Sequence, residues 1–191
     1  LVTGVQTCAL PIYFGLKLSG NYLLPSLPTA YMATGHNSAL VDDDGRKYVV
    51  YHTRFNNGTE NHSPRVHQFI VNADGWPCML PYQTQGETVS ESGYPKEEVA
   101  GRYYMINQGT EINADIAEPE ILYLNDNGTA KTEDEEGKWS VTDGSYYVTV
   151  TIGDKEYKGV FCAMKDEAGK DCMTFSAVGK NESIWGVKYA E

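Results

Sequence analysis

The chain has 191 residues, 41% of them hydrophobic, enough for one sizeable packed domain or a small domain with part of another. Lys and Arg number 15 against 26 Asp and Glu, a net charge of −11 that argues against nucleic acid and anionic membrane surfaces as partners. No run approaches about 18 apolar residues, so no membrane span is expected, and 14 Tyr, 3 Trp and 19 Gly alongside many Thr and Val point to β-structure with tight turns.

Residues 1–12, LVTGVQTCALPI, carry no charge and no period of 2 or 3.6. Val2 to Ile12 resembles the in-frame translation of a common short-read sequencing adapter, so this segment is set aside as an artefact before any fold reasoning. Cys8 then leaves the count, and the native cysteines are Cys78, Cys162 and Cys172. On this reading the chain is a fragment whose true start lies upstream, and a missing signal peptide carries no information about localisation.

Residues 13–35 read as irregular, with Pro25 and Pro28 among aromatics. A strand is predicted from about Ser38, then a DDG turn at 43–45 and a strong strand over 46–54. Its alternation puts Tyr48, Val50, His52 and Arg54 on one face and Val49, Tyr51 and Thr53 on the other. A loop over 56–64 leads to PRVHQFIVNADGWPCML, read as a strand, a DG turn at 74–75 and a short strand. By spacing alone these antiparallel strands suit a propeller blade or part of a sandwich. Residues 84–98 are polar and carry Gly, Ser and Pro, the composition of a domain boundary. Seven strand candidates follow: GRYYMIN, EILYLN, KWSV, SYYVTVTI, KEYKGVFCAM, DCMTFSAV and SIWGVKY. Their short, even spacing predicts a complete small β-barrel or sandwich, with the clearest hairpin turning at Gly153–Asp154. No substantial helix is expected, only a short turn near Val99.

His36 sits in a Gly-His-Asn-Ser corner, where a neutral imidazole serves as a metal ligand, an acid or base, or a hydrogen-bonded corner. His52, His62 and His67 accompany Arg54 and Arg65, a concentration of basic groups that suggests a polar groove, without a zinc spacing. Asp42–Asp44 lacks the alternation of a calcium loop and reads as a surface turn, as does the acidic run at 132–137. Cys78, beside Trp76 and Pro77, reads as core. Cys162 and Cys172 fall on one face of a predicted hairpin, as a disulfide or as two buried thiols. Glycosidases work with paired carboxylates, and no buried pair stands out here.

LKLSGNY, GHNSALVDDDGRKYVVYHTRF and PRVHQFIVNADGWP together resemble the last propeller blade of glycoside hydrolase family 43 endo-arabinanases. EVAGRYYMINQGTEINADI, GKWSV, YKGVF and IWGVKY resemble that family's C-terminal β-domain. The resemblance implies an all-β chain: residues 13–90 as the end of a five-bladed β-propeller, and 96–191 as a small β-barrel or sandwich. It implies a secreted, periplasmic or cell-surface parent that hydrolyses α-1,5-L-arabinan with inversion. The catalytic Asp, Asp and Glu of that family lie in earlier blades, so the fragment alone is expected to be inactive. It further implies calcium held through His36, with His52, Arg54, Arg65 and His67 as pocket-wall or scaffold positions and candidate substrate contacts. Two alternatives stand beside it: an exo-acting arabinofuranosidase or xylosidase on the same propeller, or a non-catalytic carbohydrate-binding β-domain. In the last case Tyr103, Tyr104, Trp139, Tyr146 and Tyr147 are the candidate stacking platforms.

Overall fold

A computed structural model describes residues 15–189. The adapter-like segment 1–12 lies outside the described residues. Four antiparallel strands form a meander in chain order: β1 (Tyr31–Val41), β2 (Lys47–Phe55), β3 (Ser63–Val71) and β4 (Pro77–Met79). β1 begins well before Ser38, because the stretch read as irregular continues the strand through two irregularities in its pairing with β2. Ala33 and His36 take left-handed φ values of 49° and 51°, which local kinks in a paired strand accommodate. β1 is the outer strand: Tyr31 bridges to Tyr22, but beyond it no described strand lies along the far edge. There Leu40 and Val41 are 53% and 59% exposed.

After the short helix α1 (Lys96–Val99), eight antiparallel strands close into an up-and-down barrel. They are β5 (Gly101–Asn107), β6 (Glu120–Leu124), β7 (Thr129–Lys131), β8 (Glu136–Val141), β9 (Tyr147–Ile152), β10 (Lys155–Lys165), β11 (Asp171–Val178) and β12 (Ser183–Tyr189), with β12 pairing back onto β5. Seven of these follow the sequence pattern; β7, three residues long, leaves no period to detect. Gly153, at φ 58°, occupies the first central position of the two-residue β9–β10 turn, where a type II′ hairpin requires a left-handed residue.

Alternation sends Tyr103, Leu122, Trp139, Val150, Phe161 and Phe175 into the barrel, all at most 3% exposed. The aromatic rings meet edge to face: Phe161 and Phe175 at 6.0 Å, Tyr103 and Phe175 at 5.3 Å. Gly186 pairs with Phe175, and a Cβ there would stand 2.1 Å from the Phe175 ring. The glycine thus leaves room for the ring to cross the barrel, and the interior is filled by side chains, as eight strands permit.

On β10, β11 and β12 the outward face is buried too. Val160, Cys162, Met164, Val178, Trp185 and Val187 form one apolar cluster with Tyr22, Tyr51, Ile70, Cys78, Leu80 and Tyr82 from the sheet side. Burial on both faces explains why GVFC and FSAV read as nearly continuous apolar runs. Polar ties close the seam: Asn72 Nδ2 donates to the Lys158 carbonyl, and Ser183 Oγ to those of Lys17 and Leu18. Segment 84–98 is no free spacer either, since Gln85 Nε2 reaches the Asp166 carbonyl and the Ala163 amide donates to the Tyr94 hydroxyl.

Candidate functional site

The β2–β3 register divides the predicted basic residues. Tyr51 opposes Arg65 and Val49 opposes His67, so Arg65 and His67 share the Tyr51 face. His52 and Arg54 alternate onto the opposite face. The expectation of one polar groove gathering His52, His62, His67, Arg54 and Arg65 is therefore corrected: Arg65 and His67 lie on the opposite side of the sheet from His52 and Arg54, in scaffold positions.

His67 is fully buried. Its Nδ1 lies 2.7 Å from the Leu80 carbonyl, which only accepts, so Nδ1 carries the proton. Nε2 then accepts from the Tyr51 hydroxyl at 3.0 Å, and Tyr51 accepts in turn from Tyr22 at 3.2 Å. Its ring stacks on Trp185 of the barrel, with centroids 6.5 Å apart. Burial pushes the imidazole pKa down to about 4, and the nearby Arg65 charge adds to that. His67 is a neutral pin of the sheet–barrel seam. Arg65 also belongs to the seam: Nε donates to the Tyr31 hydroxyl, the guanidinium lies over the Tyr31 and Phe55 rings, and Tyr31 donates onward to Glu167.

The other face gathers the remaining histidines. His36 and His52 lie 5.7 Å apart by ring centroid, and His52 and His62 4.6 Å. The bulged β1 supplies the exposed His36, β2 the half-buried His52, and the β2–β3 loop the exposed His62. Desolvation, then the neighbouring imidazoles, hold His52 below the ordinary histidine pKa. Arg54 pairs with Glu60 and faces a groove of about 720 Å³. That groove runs between Met32–Thr34 of the β1 bulge and the Gly109–Ala117 stretch of the β5–β6 loop. This cluster offers donors and acceptors for hydroxyl groups. Its carboxylate Glu60 is committed to Arg54, and Glu111 and Asp115 line the groove from the β5–β6 loop.

Among the described residues no three His, Cys, Asp or Glu side chains are arranged to hold a metal ion. The His36 ring makes no hydrogen bond among them and projects from a bulge, so it fits a metal as one imidazole and not as part of a protein cage.

Of the proposed stacking platforms, Tyr103 is 0% and Trp139 3% exposed; both line the barrel interior, and Trp139 Nε1 donates to the Asn125 carbonyl. Neither presents a face to a ligand. Cys78 is core as expected, but Trp76 beside it is 56% exposed. Sequence reading missed this because Trp76 ends a turn, so the alternation that buries Cys78 does not reach it.

Residues 81–186 match the family model of the glycoside hydrolase family 43 C-terminal domain, described as a C-terminal lipocalin-like domain. Two curated relatives align along the chain. The extracellular endo-α-(1→5)-L-arabinanase 2 of Bacillus subtilis is 39% identical over 181 residues, covering 92% of this chain and 38% of the relative. The extracellular endo-α-(1→5)-L-arabinanase of Thermotoga petrophila is 36% identical, covering 93% and 40%. Among solved structures, the family 43 YxiA protein from Bacillus licheniformis superposes with a TM-score of 0.86 at 34% identity, covering 94% of this chain and 40% of that one. The Thermotoga petrophila endo-1,5-α-L-arabinanase in complex with TRIS gives 0.86 at 35% identity, covering 94% and 41%. The chain thus spans about two fifths of the length of the relatives it matches.

Proposed function

The chain belongs to the glycoside hydrolase family 43 C-terminal domain family, and on that footing we propose that it forms the C-terminal part of a secreted enzyme that cleaves α-1,5-linked L-arabinan. One observation carries this: the likeness to named extracellular endo-arabinanases covers 92% of the chain, sheet and barrel together. A shared barrel module alone would leave the sheet unmatched.

In this reading the four-stranded meander is the last blade of the parent's propeller. Its open β1 edge and the exposed Leu40 and Val41 on it suit a strand set among further blades. Inverting hydrolysis requires an acid and a base on opposite sides of the sugar. The basic face of the sheet supplies neither, so those carboxylates come from earlier blades and the chain alone is inactive. What it contributes is one wall: Arg54 donates to sugar hydroxyls along the groove, and His52 and His62, on the same face of the sheet, donate to and accept from hydroxyls beside it. His36 holds a calcium-type ion as the one protein ligand from this chain, the rest of its shell being water or groups from elsewhere. Such an ion, when bound, supplies a fixed positive charge at the pocket.

The test is to incubate the parent enzyme and the 191-residue chain with linear arabinan and to resolve the products. Arabino-oligosaccharides from the parent and nothing from the chain are expected. Arabinose alone from the parent would make the enzyme exo-acting, untouched arabinan would overturn the substrate, and products from the chain would overturn its inactivity.

A further inference from the structure

The exposed Trp76 has a place in neither the core nor the histidine face. Of the three tryptophans, Trp139 and Trp185 are buried at 3% and 0%, whereas Trp76 is 56% exposed. An indole left in water forgoes its burial energy, and beside a polar groove its flat apolar face is open to a ligand that has both an apolar face and polar edges. The backbone beneath it is rigid. Asn72, only 4% exposed, accepts from the amides of Asp74 and Trp76 through Oδ1 and donates to the Lys158 carbonyl of the barrel through Nδ2. Asp74 pairs with Lys158 at 2.9 Å, and Pro77 fixes the chain just after the indole. The turn is thus fastened to β10, and Trp76 stands at the mouth of a groove of about 390 Å³ along the sheet–barrel seam.

The groove's chemistry selects an occupant. Asp74, Glu156, Lys158 and Lys180 line it, two carboxylates and two ammonium groups, so it carries no net charge in a chain of −11. A balanced polar rim discriminates against polyanions and basic peptides. A sugar ring presents an apolar C–H face that lies on an indole and a rim of hydroxyls that both donate and accept. We infer that Trp76 and this groove form a binding subsite for a neutral polysaccharide chain, arabinan under the function proposed above. The inference rests on that reading for the sugar's identity, but not for the site.

The experiment is affinity electrophoresis of the 191-residue chain through gels containing linear arabinan, neutral xylan or polygalacturonate, repeated with Trp76→Ala and Trp76→Phe. Acrylamide quenching of tryptophan fluorescence accompanies it. Because Trp76 is exposed, both variants are expected to fold, with unchanged circular dichroism. Wild type should be retarded by arabinan. Trp76→Ala should be retarded about tenfold more weakly, the consequence of losing about 1.4 kcal/mol of aromatic contact, with Trp76→Phe in between. Arabinan should also shield the quencher-accessible tryptophan of the wild type. Equal retardation of wild type and Trp76→Ala, retardation by polygalacturonate alone, or no retardation by any of the three overturns the subsite. Trp76-dependent retardation by xylan but not arabinan leaves the subsite standing and removes arabinan as its sugar. Arabinan hydrolysis by the parent with no Trp76 effect does the reverse.

Discussion

His67 makes the stability of the chain depend on pH in a way that one substitution isolates. Its imidazole is fully buried and neutral, with its pKa pushed from an ordinary 6.5 down to about 4, chiefly by burial. The unfolded chain takes up a proton at about 6.5, whereas the folded chain resists until about 4. Between those values the unfolded state binds more protons, so stability rises with pH across this window. The contribution is fully present above 6.5 and is lost as pH falls toward 4. That gap, at about 1.4 kcal/mol per pH unit, amounts to about 3 kcal/mol. Carboxylates titrate in the same range, so the comparison is with His67→Gln, whose amide group can donate to the Leu80 carbonyl and accept from Tyr51 but does not titrate. Urea unfolding of both proteins at pH 7.5, 6, 5 and 4 is the assay. Wild type should lose about 3 kcal/mol more than His67→Gln between the first and last points. Parallel profiles would refute a neutral buried His67.

Two further outcomes follow from the same residues. In the parent enzyme, His36→Ala should lower bound calcium, measured by elemental analysis, and reduce arabinan hydrolysis without altering the circular dichroism spectrum; unchanged metal content rejects His36 as a ligand. Burial pushes the Cys78, Cys162 and Cys172 thiols up to about 12, and all three are free. In a Cys8→Ser chain none should react with Ellman's reagent at pH 8 in the native state, and three should react in denaturant. A single reactive thiol in denaturant would show Cys162 and Cys172 bonded.

The barrel strands away from the seam were largely legible because each faces two environments, while β10 to β12 were found by their apolar runs. YVTVTI alternates cleanly, and the two-residue turn after it places Gly153 where a left-handed φ is needed. The site was less legible, because it depends on pairing across strands. His52 and His67 look equivalent in YHTRF and PRVHQ, yet the register of β2 on β3 turns one to the outer face and locks the other against Trp185. No local pattern encodes that offset. His36 was read at a corner, whereas a kinked strand carries it toward His52. Trp139, a candidate stacking platform by sequence, is buried for a similar reason. Trp139 on β8 follows the alternation into the barrel, Trp185 on β12 faces the seam, and Trp76 at a turn escapes burial.

The open margin of β1 also governs how the chain behaves when produced apart from its parent. Among the described residues no strand pairs with β1 beyond Ala33 on its outer edge, and that edge beside exposed Leu40 and Val41 is a template on which a second molecule can extend the sheet. Asp42, Asp43 and Asp44 follow at once; Arg46 pairs with Asp42 and Asp44, and the negative charge left over at the end of the strand opposes stacking of identical copies. That repulsion is screened by salt. Raising the ionic strength should therefore favour self-association of the isolated polypeptide along this edge, and lowering it should oppose it.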